Sequence, residues 1–231
     1  MMDSNLIRWR IAVGHEETSA ELMPSAAREK SPVFVCAHGA GGHMSDRGML
    51  ALTGMLAGRG LNVVCFNFLY REKGSGRPDP MPRLEDTFSA VVAHVRRELD
   101  PLTLLIGGRS MGGRAASMLA SKGFDCDGLL LFAYPLHPAG QPAKLRDAHL
   151  PSIEVPVLCF NGTRDTLCTP GLMDKVLTTV KAKWVMHWLE GADHSFHVLK
   201  SSGRTDAQVH DEMGDATMRW IHENGWDGMS G

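Results

Sequence analysis

A serine lies between two closely spaced glycines at residues 108–112, which read Gly-Arg-Ser-Met-Gly. An apolar run typical of a strand, 102–107, precedes this segment, and a helical pattern over 111–122 follows it. A sharp strand-to-helix turn of this kind holds a nucleophile at its tip, and the neighbouring backbone leaves room only for glycine beside it. Ser110 is therefore predicted as a nucleophile for acyl transfer. The alternative is a glycine-rich turn with a solvent-facing serine.

Two further segments could supply the partners that a serine nucleophile needs. A serine hydroxyl requires a base, usually histidine, to take its proton and a carboxylate to orient that base. Asp165 follows the apolar run 155–160, and His194 follows the apolar run 184–189, in the chain order Ser, acid, His. Considered alone, the first is a turn aspartate and the second a surface histidine. Since both follow strands whose ends meet at one sheet edge, we predict them as the acid and the base.

Other residues compete for these two roles. His187 lies inside the last apolar run and is expected to pack, and His197 lies three residues after the predicted base as a neighbour on the same turn. Asp174 lies within a helical pattern, and Asp193 adjoins the predicted base and is expected to point elsewhere. The other histidines considered, at 15, 137, 149, 210 and 222, lie outside the position expected for the base.

A second glycine-rich segment, His-Gly-Ala-Gly-Gly at 38–42, follows an apolar run. Such a turn lets a backbone N–H point into the site, where it would stabilise a developing oxyanion beside the N–H of Met111. Ala40 is the preferred donor and Gly41 the alternative, while His38 is expected to brace the turn by hydrogen bonds. The segment could also be a phosphate-binding loop, but the lysine of a P-loop and the full G-x-G-x-x-G pattern are missing.

These segments require a scaffold that brings several strand ends to one edge. Short apolar runs alternate with helical patterns, which is typical of a three-layer α/β/α fold with a mostly parallel sheet. A Thr-x-x-Gln capping box opens the last helix. The chain has no repeat or linker-like stretch, so 1–231 is predicted as a single domain with a short frayed tail from Trp226. The strands are predicted at 7–13, 18–22, 33–37, 61–68, 102–107, 128–133, 155–160 and 184–189, and the helices at 46–58, 84–99, 111–122, 170–180 and from Thr205 onward.

Composition excludes several classes of function. The chain has 231 residues, 43% of them hydrophobic, and 24 Lys and Arg against 26 Asp and Glu give a net charge of −2. This balance carries no electrostatic signature of a nucleic-acid or anionic-membrane partner, and the sequence has no apolar run of about eighteen residues that would predict a membrane span. The N-terminal residues lack the pattern of a secretory signal. The 5 cysteines, without C-x-x-C spacing, are expected to be core residues in a reducing compartment, so we predict a cytoplasmic protein.

Taken together, the motifs resemble those of the α/β-hydrolase superfamily. The compact, lidless group related to dienelactone hydrolases is the most similar, including poorly characterised predicted hydrolases near a chromatin-complex subunit. The resemblance extends over 30–224 and implies an α/β-hydrolase fold without a large lid and a Ser-His-Asp triad. Dienelactone hydrolases carry a cysteine nucleophile, whereas Ser110 favours a serine esterase. The matching segments are HGAGG (38–42), GGRSMGG (107–113), NGTRD (161–165) and GADHSF (191–196).

Few residues offer clues to the substrate. Tyr70 and Arg71 follow the fourth predicted strand at the same sheet edge as the site, where Arg71 could bind a substrate carboxylate or, equally, be a solvated loop cation. Arg109 and Arg114 flank the serine and are expected to point inward and pair with buried carboxylates. The interval 134–154 is too short for a helical cap, so an open site for small acyl substrates is expected.

The sequence thus predicts hydrolysis of a small-molecule ester or thioester through an acyl-enzyme intermediate, with no metal or cofactor. Acyl transfer or peptide hydrolysis on the same three residues is an alternative that product analysis with competing acceptors would separate. A non-catalytic interaction module that retains the fold is another, since some members of the chromatin-related group are thought to act as scaffolds. The sequence makes no prediction of oligomeric state.

Overall fold

An eight-stranded sheet forms the centre of the computed structural model, which describes residues 6–25 and 31–227. The strand order is β1-β2-β4-β3-β5-β6-β7-β8. β2 pairs antiparallel with β1 and with β4, and the other pairings are parallel, which confirms the predicted sheet. The strands are β1 (Ile7–Val13), β2 (Glu16–Met23), β3 (Val33–Ala37), β4 (Asn62–Phe66), β5 (Leu104–Arg109), β6 (Gly128–Phe132), β7 (Val157–Gly162) and β8 (Trp184–Leu189).

Helices cover both faces of the sheet and complete the predicted three layers. α3, α4 and α5 supply residues such as Phe88 and Ala115 to the core on one face. α1 and α6 supply residues such as Leu56 and Trp220 to the core on the other. Each residue of β3 and β6 is buried because helices pack on both sides of these strands. The helices are α1 (Arg47–Gly58), α2 (Leu69–Glu72), α3 (Met81–Leu99), α4 (Met111–Ala120), α5 (Pro170–Leu177) and α6 (Asp206–Glu223).

The strand ends that carry the site differ from those predicted. β5 extends to Arg109 rather than residue 107, and β7 reaches Gly162 rather than residue 160. Neighbouring strands pair with both of these ends, so ladder hydrogen bonds rather than apolar content decide where the strands stop. β4 ends early, at Phe66, because the chain turns there into α2, a short helix that the sequence pattern did not predict.

The segment between β6 and β7 carries no helical cap, as expected from its length. It contains one short 3₁₀ turn, Leu150–Ser152, and otherwise runs as irregular chain beside the site. In the part of the chain that the structure describes, no helix combines the length and apolar character needed to cross a membrane.

The C-terminal helix begins and ends with identifiable contacts. Thr205 and Gln208 form the predicted capping box at the start of α6. Trp226, which was predicted to begin a frayed tail, instead packs edge-on against Trp220 with 5.1 Å between ring centroids. The Asp227 Oδ2 lies 2.6 Å from the His222 Nδ1, and residues 228–231 of the predicted tail lie outside the described residues.

Candidate active site

Ser110 lies at the tip of the turn between β5 and α4, in the predicted strand–turn–helix context. Its backbone adopts φ 50° and ψ −113°, a conformation that costs free energy in a residue with a side chain. Close approach to β3 requires the two flanking glycines. A Cβ on Gly108 would lie 2.2 Å from the Ala37 carbonyl oxygen, and a Cβ on Gly112 would lie 2.5 Å from the same atom. The tight turn therefore lifts the serine clear of the sheet.

A continuous chain of hydrogen bonds links Ser110, His194 and Asp165. The His194 Nε2 lies 3.0 Å from the Ser110 Oγ, and the His194 Nδ1 lies 2.8 Å from the Asp165 Oδ2. The carboxylate is fully buried, while 25% of the imidazole side chain is exposed. Since Asp165 accepts a hydrogen bond from Nδ1–H, the neutral ring presents Nε2 as an acceptor to the serine hydroxyl. This geometry allows the histidine to take the serine proton.

The Asp165 carboxylate is held by more than the histidine. Its Oδ2 also accepts from the Asn161 Nδ2 at 3.0 Å, and its Oδ1 accepts from the Leu167 N–H at 2.8 Å. Asn161 is itself buried in β7 and exchanges two hydrogen bonds with the Tyr134 backbone. Sequence reasoning missed Asn161, although a polar residue ending an apolar strand just before the predicted acid was a usable signal.

The turn formed by 38–42 faces Ser110 and is braced from the core by His38. The His38 Nε2 accepts from the Phe68 N–H at 3.1 Å, so Nδ1 carries the proton and donates to the Gly39 carbonyl at 2.7 Å. Burial lowers the pKa of His38 to about 4, which keeps the ring neutral at neutral pH. The predicted bracing role of His38 is therefore confirmed.

Two backbone N–H groups beside the serine are free to bind an oxyanion. Those of Met111 and Ala40 donate to no acceptor among the described residues. Met111 opens α4, so the positive end of the helix dipole also lies at this point. The Tyr70 hydroxyl donates to the Ala40 carbonyl at 2.8 Å and fixes the turn that carries the second group and its neighbour Gly41.

Two cavities open beside the serine, and Ala40, Ser110 and Leu167 line both. The larger cavity, of about 490 Å³, we call the His194 cavity because His194 lines it together with Asp46 and Arg109. The second, of about 390 Å³, we call the Arg114 cavity. Its remaining lining residues are Met111, Arg114, Pro135, Pro138, Ala139 and Arg146.

The two residues predicted to contact substrate lie outside the lining of both cavities. Tyr70 is buried, its hydroxyl is engaged with Ala40, and burial raises its pKa to about 12. The Arg71 Nη1 donates to the Ser75 carbonyl at 3.1 Å. Contact of Tyr70 or Arg71 with a substrate stays a prediction.

Within residues 6–25 and 31–227, the two arginines beside the serine do not pair with buried carboxylates, so that expectation is wrong. Arg109 bends over α1, where a Cβ on Gly48 would meet its Nη1 at 2.6 Å, and its Nη2 donates to the His194 carbonyl at 3.4 Å. The Arg114 Nε is buried and has no hydrogen-bond partner among the described residues. Arg109 lines the His194 cavity and Arg114 lines the Arg114 cavity.

The competing histidines and aspartate make contacts elsewhere. The His187 Nε2 lies 2.8 Å from the Glu212 Oε1, and the His197 Nδ1 lies 2.9 Å from the Asp206 Oδ2. Asp193 accepts from the backbone of its own turn, as expected. None of these groups contacts Ser110.

The fold and the site geometry together define an α/β hydrolase. A family model of the alpha/beta hydrolase domain matches residues 30–222, which is most of the chain. The chain belongs to this family.

Solved structures share the fold at low sequence identity. Est1E from Butyrivibrio proteoclasticus with bound ferulic acid is 16% identical, with a TM-score of 0.75 over 93% of this chain and 99% of that one. A dienelactone hydrolase from Anabaena variabilis is 15% identical, with a TM-score of 0.74 over 95% and 97%. A serine hydrolase without a lid from Xanthomonas campestris is 20% identical, with a TM-score of 0.72 over 95% and 97%.

Proposed function

We propose that the chain is a serine hydrolase that cleaves small esters or thioesters through an acyl-enzyme intermediate. The observation that carries the proposal is the hydrogen-bonded chain from the Ser110 Oγ through His194 to the buried Asp165 carboxylate. A nucleophile, a base and an orienting acid in this order serve acyl transfer on several unrelated folds. Family membership and neighbours described as a serine hydrolase and a dienelactone hydrolase support the same class of reaction.

In the first half of the reaction, the Ser110 Oγ attacks the acyl carbon while the His194 Nε2 takes its proton. Asp165 stabilises the imidazolium that forms and holds the ring in the required tautomer. The N–H groups of Met111 and Ala40 donate to the oxyanion of the tetrahedral intermediate. When this intermediate collapses, the bond to the leaving group breaks, and His194 gives its proton to the departing alkoxide or thiolate.

The second half repeats the same steps with water. His194 takes a proton from water as the water oxygen attacks the acyl-enzyme, and the Ser110 Oγ leaves with that proton. The products are a carboxylic acid and the alcohol or thiol released earlier. Because the site is flanked by irregular chain rather than a helical cap, it suits short acyl groups that need no enclosed tunnel.

A fluorophosphonate probe tests the proposal directly, because it reacts with an activated serine. Native protein should be labelled and should cleave a short p-nitrophenyl ester, and Ser110→Ala should do neither. Ser201→Ala, which removes an exposed serine far from this turn in sequence, is the matched control and should behave like the parent. Absence of both labelling and cleavage in the native protein would contradict the proposal. Products formed with added alcohols, thiols or amines separate hydrolysis from acyl transfer.

A further inference from the structure

Two arginines line the Arg114 cavity, and neither has an acidic partner in the part of the chain that the structure describes. Arg114 lies on the first turn of α4, and Arg146 lies on the segment between β6 and β7. Neither guanidinium forms an ion pair with a carboxylate of the described residues, and no Asp or Glu lines the cavity. Among the described residues, the Arg146 Nη1 donates to the Pro135 carbonyl, and the distance of 3.4 Å is long for a hydrogen bond.

The positive charge at this cavity faces no carboxylate among the described lining residues. Burial lowers the pKa of Arg146, and the charge of Arg114 lowers it further. The same two causes, in the same order, lower the pKa of the neighbouring His149 to about 4. A buried Arg114 Nε without an acceptor adds a donor that the protein leaves unsatisfied. Two cations that repel each other and retain free donors are stabilised when an anion binds between them.

The two cavities differ in their relation to His194. In the proposed reaction the leaving group must lie within reach of the imidazole that protonates it. His194 lines only the His194 cavity of the two, so the leaving group belongs there. The acyl chain then extends in the other direction from Ser110, past Met111 and into the Arg114 cavity.

We infer that the Arg114 cavity binds an anionic group at the far end of the acyl chain, so that the substrates are short acyl esters or thioesters that end in a carboxylate or phosphonate-like group. This inference rests on the proposed serine hydrolase function and names its substrate class. A volume of about 390 Å³ holds an acyl group of a few carbons with its anion. Apolar residues form most of the remaining wall and suit the methylene groups between the two ends, namely Ala40, Met111, Pro135, Pro138, Ala139 and Leu167.

The test compares esters that differ in the terminal group alone. The native protein is incubated with monoethyl glutarate, ethyl pentanoate or the ethyl ester of phosphonobutanoic acid, and kcat/KM is measured for each. Charge-assisted hydrogen bonds predict an advantage of about ten- to a hundredfold for an anionic ester over the neutral one. A larger advantage for one of the two anionic esters identifies the preferred anion.

Variants of the two arginines test whether the Arg114 cavity causes the higher kcat/KM for the anionic ester. Arg114→Met and Arg146→Gln should each reduce the ratio of kcat/KM for the anionic ester to that for the neutral ester by about tenfold or more. Lys144→Gln removes a positive charge from an exposed position on the same segment and should keep the ratio. Circular dichroism and fluorophosphonate labelling report whether each variant is folded with a reactive Ser110. Arg71→Ala, in the same assay, tests the other arginine predicted to bind a carboxylate.

The outcomes separate this inference from the proposed function. Equal kcat/KM for anionic and neutral esters, or an advantage kept in both cavity variants, overturns the inference while the hydrolase function stands. Loss of that advantage in Arg71→Ala would then assign it to Arg71 instead. If no ester is cleaved and Ser110 is not labelled, the proposed function fails. In that case, calorimetric titration of the native protein with glutarate and with pentanoate tests anion binding by the cavity without any reaction. Equal binding of the two, or no binding of either, overturns the inference.

Discussion

The Asp165 carboxylate accepts hydrogen bonds from His194, Asn161 and the Leu167 N–H, so both of its oxygens are engaged inside the protein. The proposed acid is therefore held in orientation not by His194 alone but also by Asn161 and the Leu167 N–H, which have no role in the proposed reaction. Asn161 is a positioning residue in this arrangement, because it reaches Ser110 only through Asp165 and His194.

Replacing the acid by its amide isolates the role of the carboxylate. Asp165→Asn keeps the size of the side chain, but the amide favours the tautomer of His194 in which Nε2 carries the proton and cannot accept one from the serine. We expect kcat on a short ester to fall about 10³- to 10⁴-fold with the fold intact by circular dichroism. Asp174→Asn, an exposed aspartate on α5, is the matched control and should keep the parent rate. An unchanged kcat in Asp165→Asn would remove this residue from the proposed mechanism.

The buried His38 makes stability depend on pH. Its pKa is about 4 in the folded protein, where burial disfavours the charged ring, and near its ordinary value of 6.5 in the unfolded chain. Between these values the unfolded chain binds more protons, so the free energy of unfolding falls as pH falls from 6.5 to 4, by on the order of 3 kcal/mol for this group. The pKa of His149, which burial also lowers, makes the free energy of unfolding fall with pH in the same direction.

Urea unfolding at about pH 7 and about pH 5 measures this effect. In His38→Gln the side chain cannot titrate, so the difference between the two free energies of unfolding should be smaller than in the parent. The variant also loses part of the bracing of the 38–42 turn and should be less stable at both values of pH. The same pH dependence in parent and variant would show that His38 does not contribute.

The sequence predicts site residues that a local pattern marks, but it does not predict residues that only the folded chain brings together. Ser110, Asp165 and His194 follow from local patterns at strand ends, because the chemistry fixes their types and chain order. Arg146 lies 36 positions after the serine on an irregular segment, and no local pattern brings it to the same cavity as Arg114. Only the folded path of 133–156 places these two cations together.

At the scale of elements, the turn between β5 and α4 demands glycine on both sides of the serine. The helix begins one residue after Ser110, and its first turn passes close to the end of β3. Apolar runs and helical periodicity predicted β5 and α4. Across the predicted helices of the chain, the observed ends differ from the predicted ones by up to three residues. The strand ends were shifted as well, since ladder hydrogen bonds with neighbours in the sheet set them and a single run of sequence does not contain that information.

Two helical glycines give a matched test of this demand. A Cβ at Gly112 would lie 2.5 Å from the Ala37 carbonyl oxygen, so Gly112→Ala must displace backbone and should destabilise the protein by about 1–3 kcal/mol. A Cβ at Gly54 in α1 meets nothing within 4 Å, so Gly54→Ala should stabilise it by up to about 1 kcal/mol through helix propensity. Thermal and urea unfolding of both variants measure the difference. Equal stability of the two variants would contradict the proposed close approach of α4 to β3.

On the scale of the whole molecule, one sheet separates two apolar cores and carries the site at a single edge. α3, α4 and α5 close one core and α1 and α6 the other, so the strand ends that hold Ser110, Asp165 and His194 keep fixed relative positions. Alternation of strands and helices was enough to predict this architecture, because a parallel sheet requires helical crossovers. The prediction of a single domain rests on the same pattern.

The five cysteines belong to these cores, and each of them is buried with a free thiol. Burial raises the pKa of Cys36 and Cys159 well above the ordinary value and that of Cys126 to about 12. Reaction with a thiol reagent requires both access and the thiolate, and the folded protein offers neither at these positions.

We therefore expect native protein in neutral buffer to react with Ellman's reagent only as fast as the chain opens. In guanidinium chloride all 5 thiols should react at once, without prior reduction. The ratio of the slow native rate to the rate in denaturant reports the free energy of the opening that exposes the cores. A fast-reacting thiol in the native state would contradict the burial of that cysteine. Fewer than five thiols in denaturant would instead reveal a disulfide, which the predicted reducing compartment does not favour.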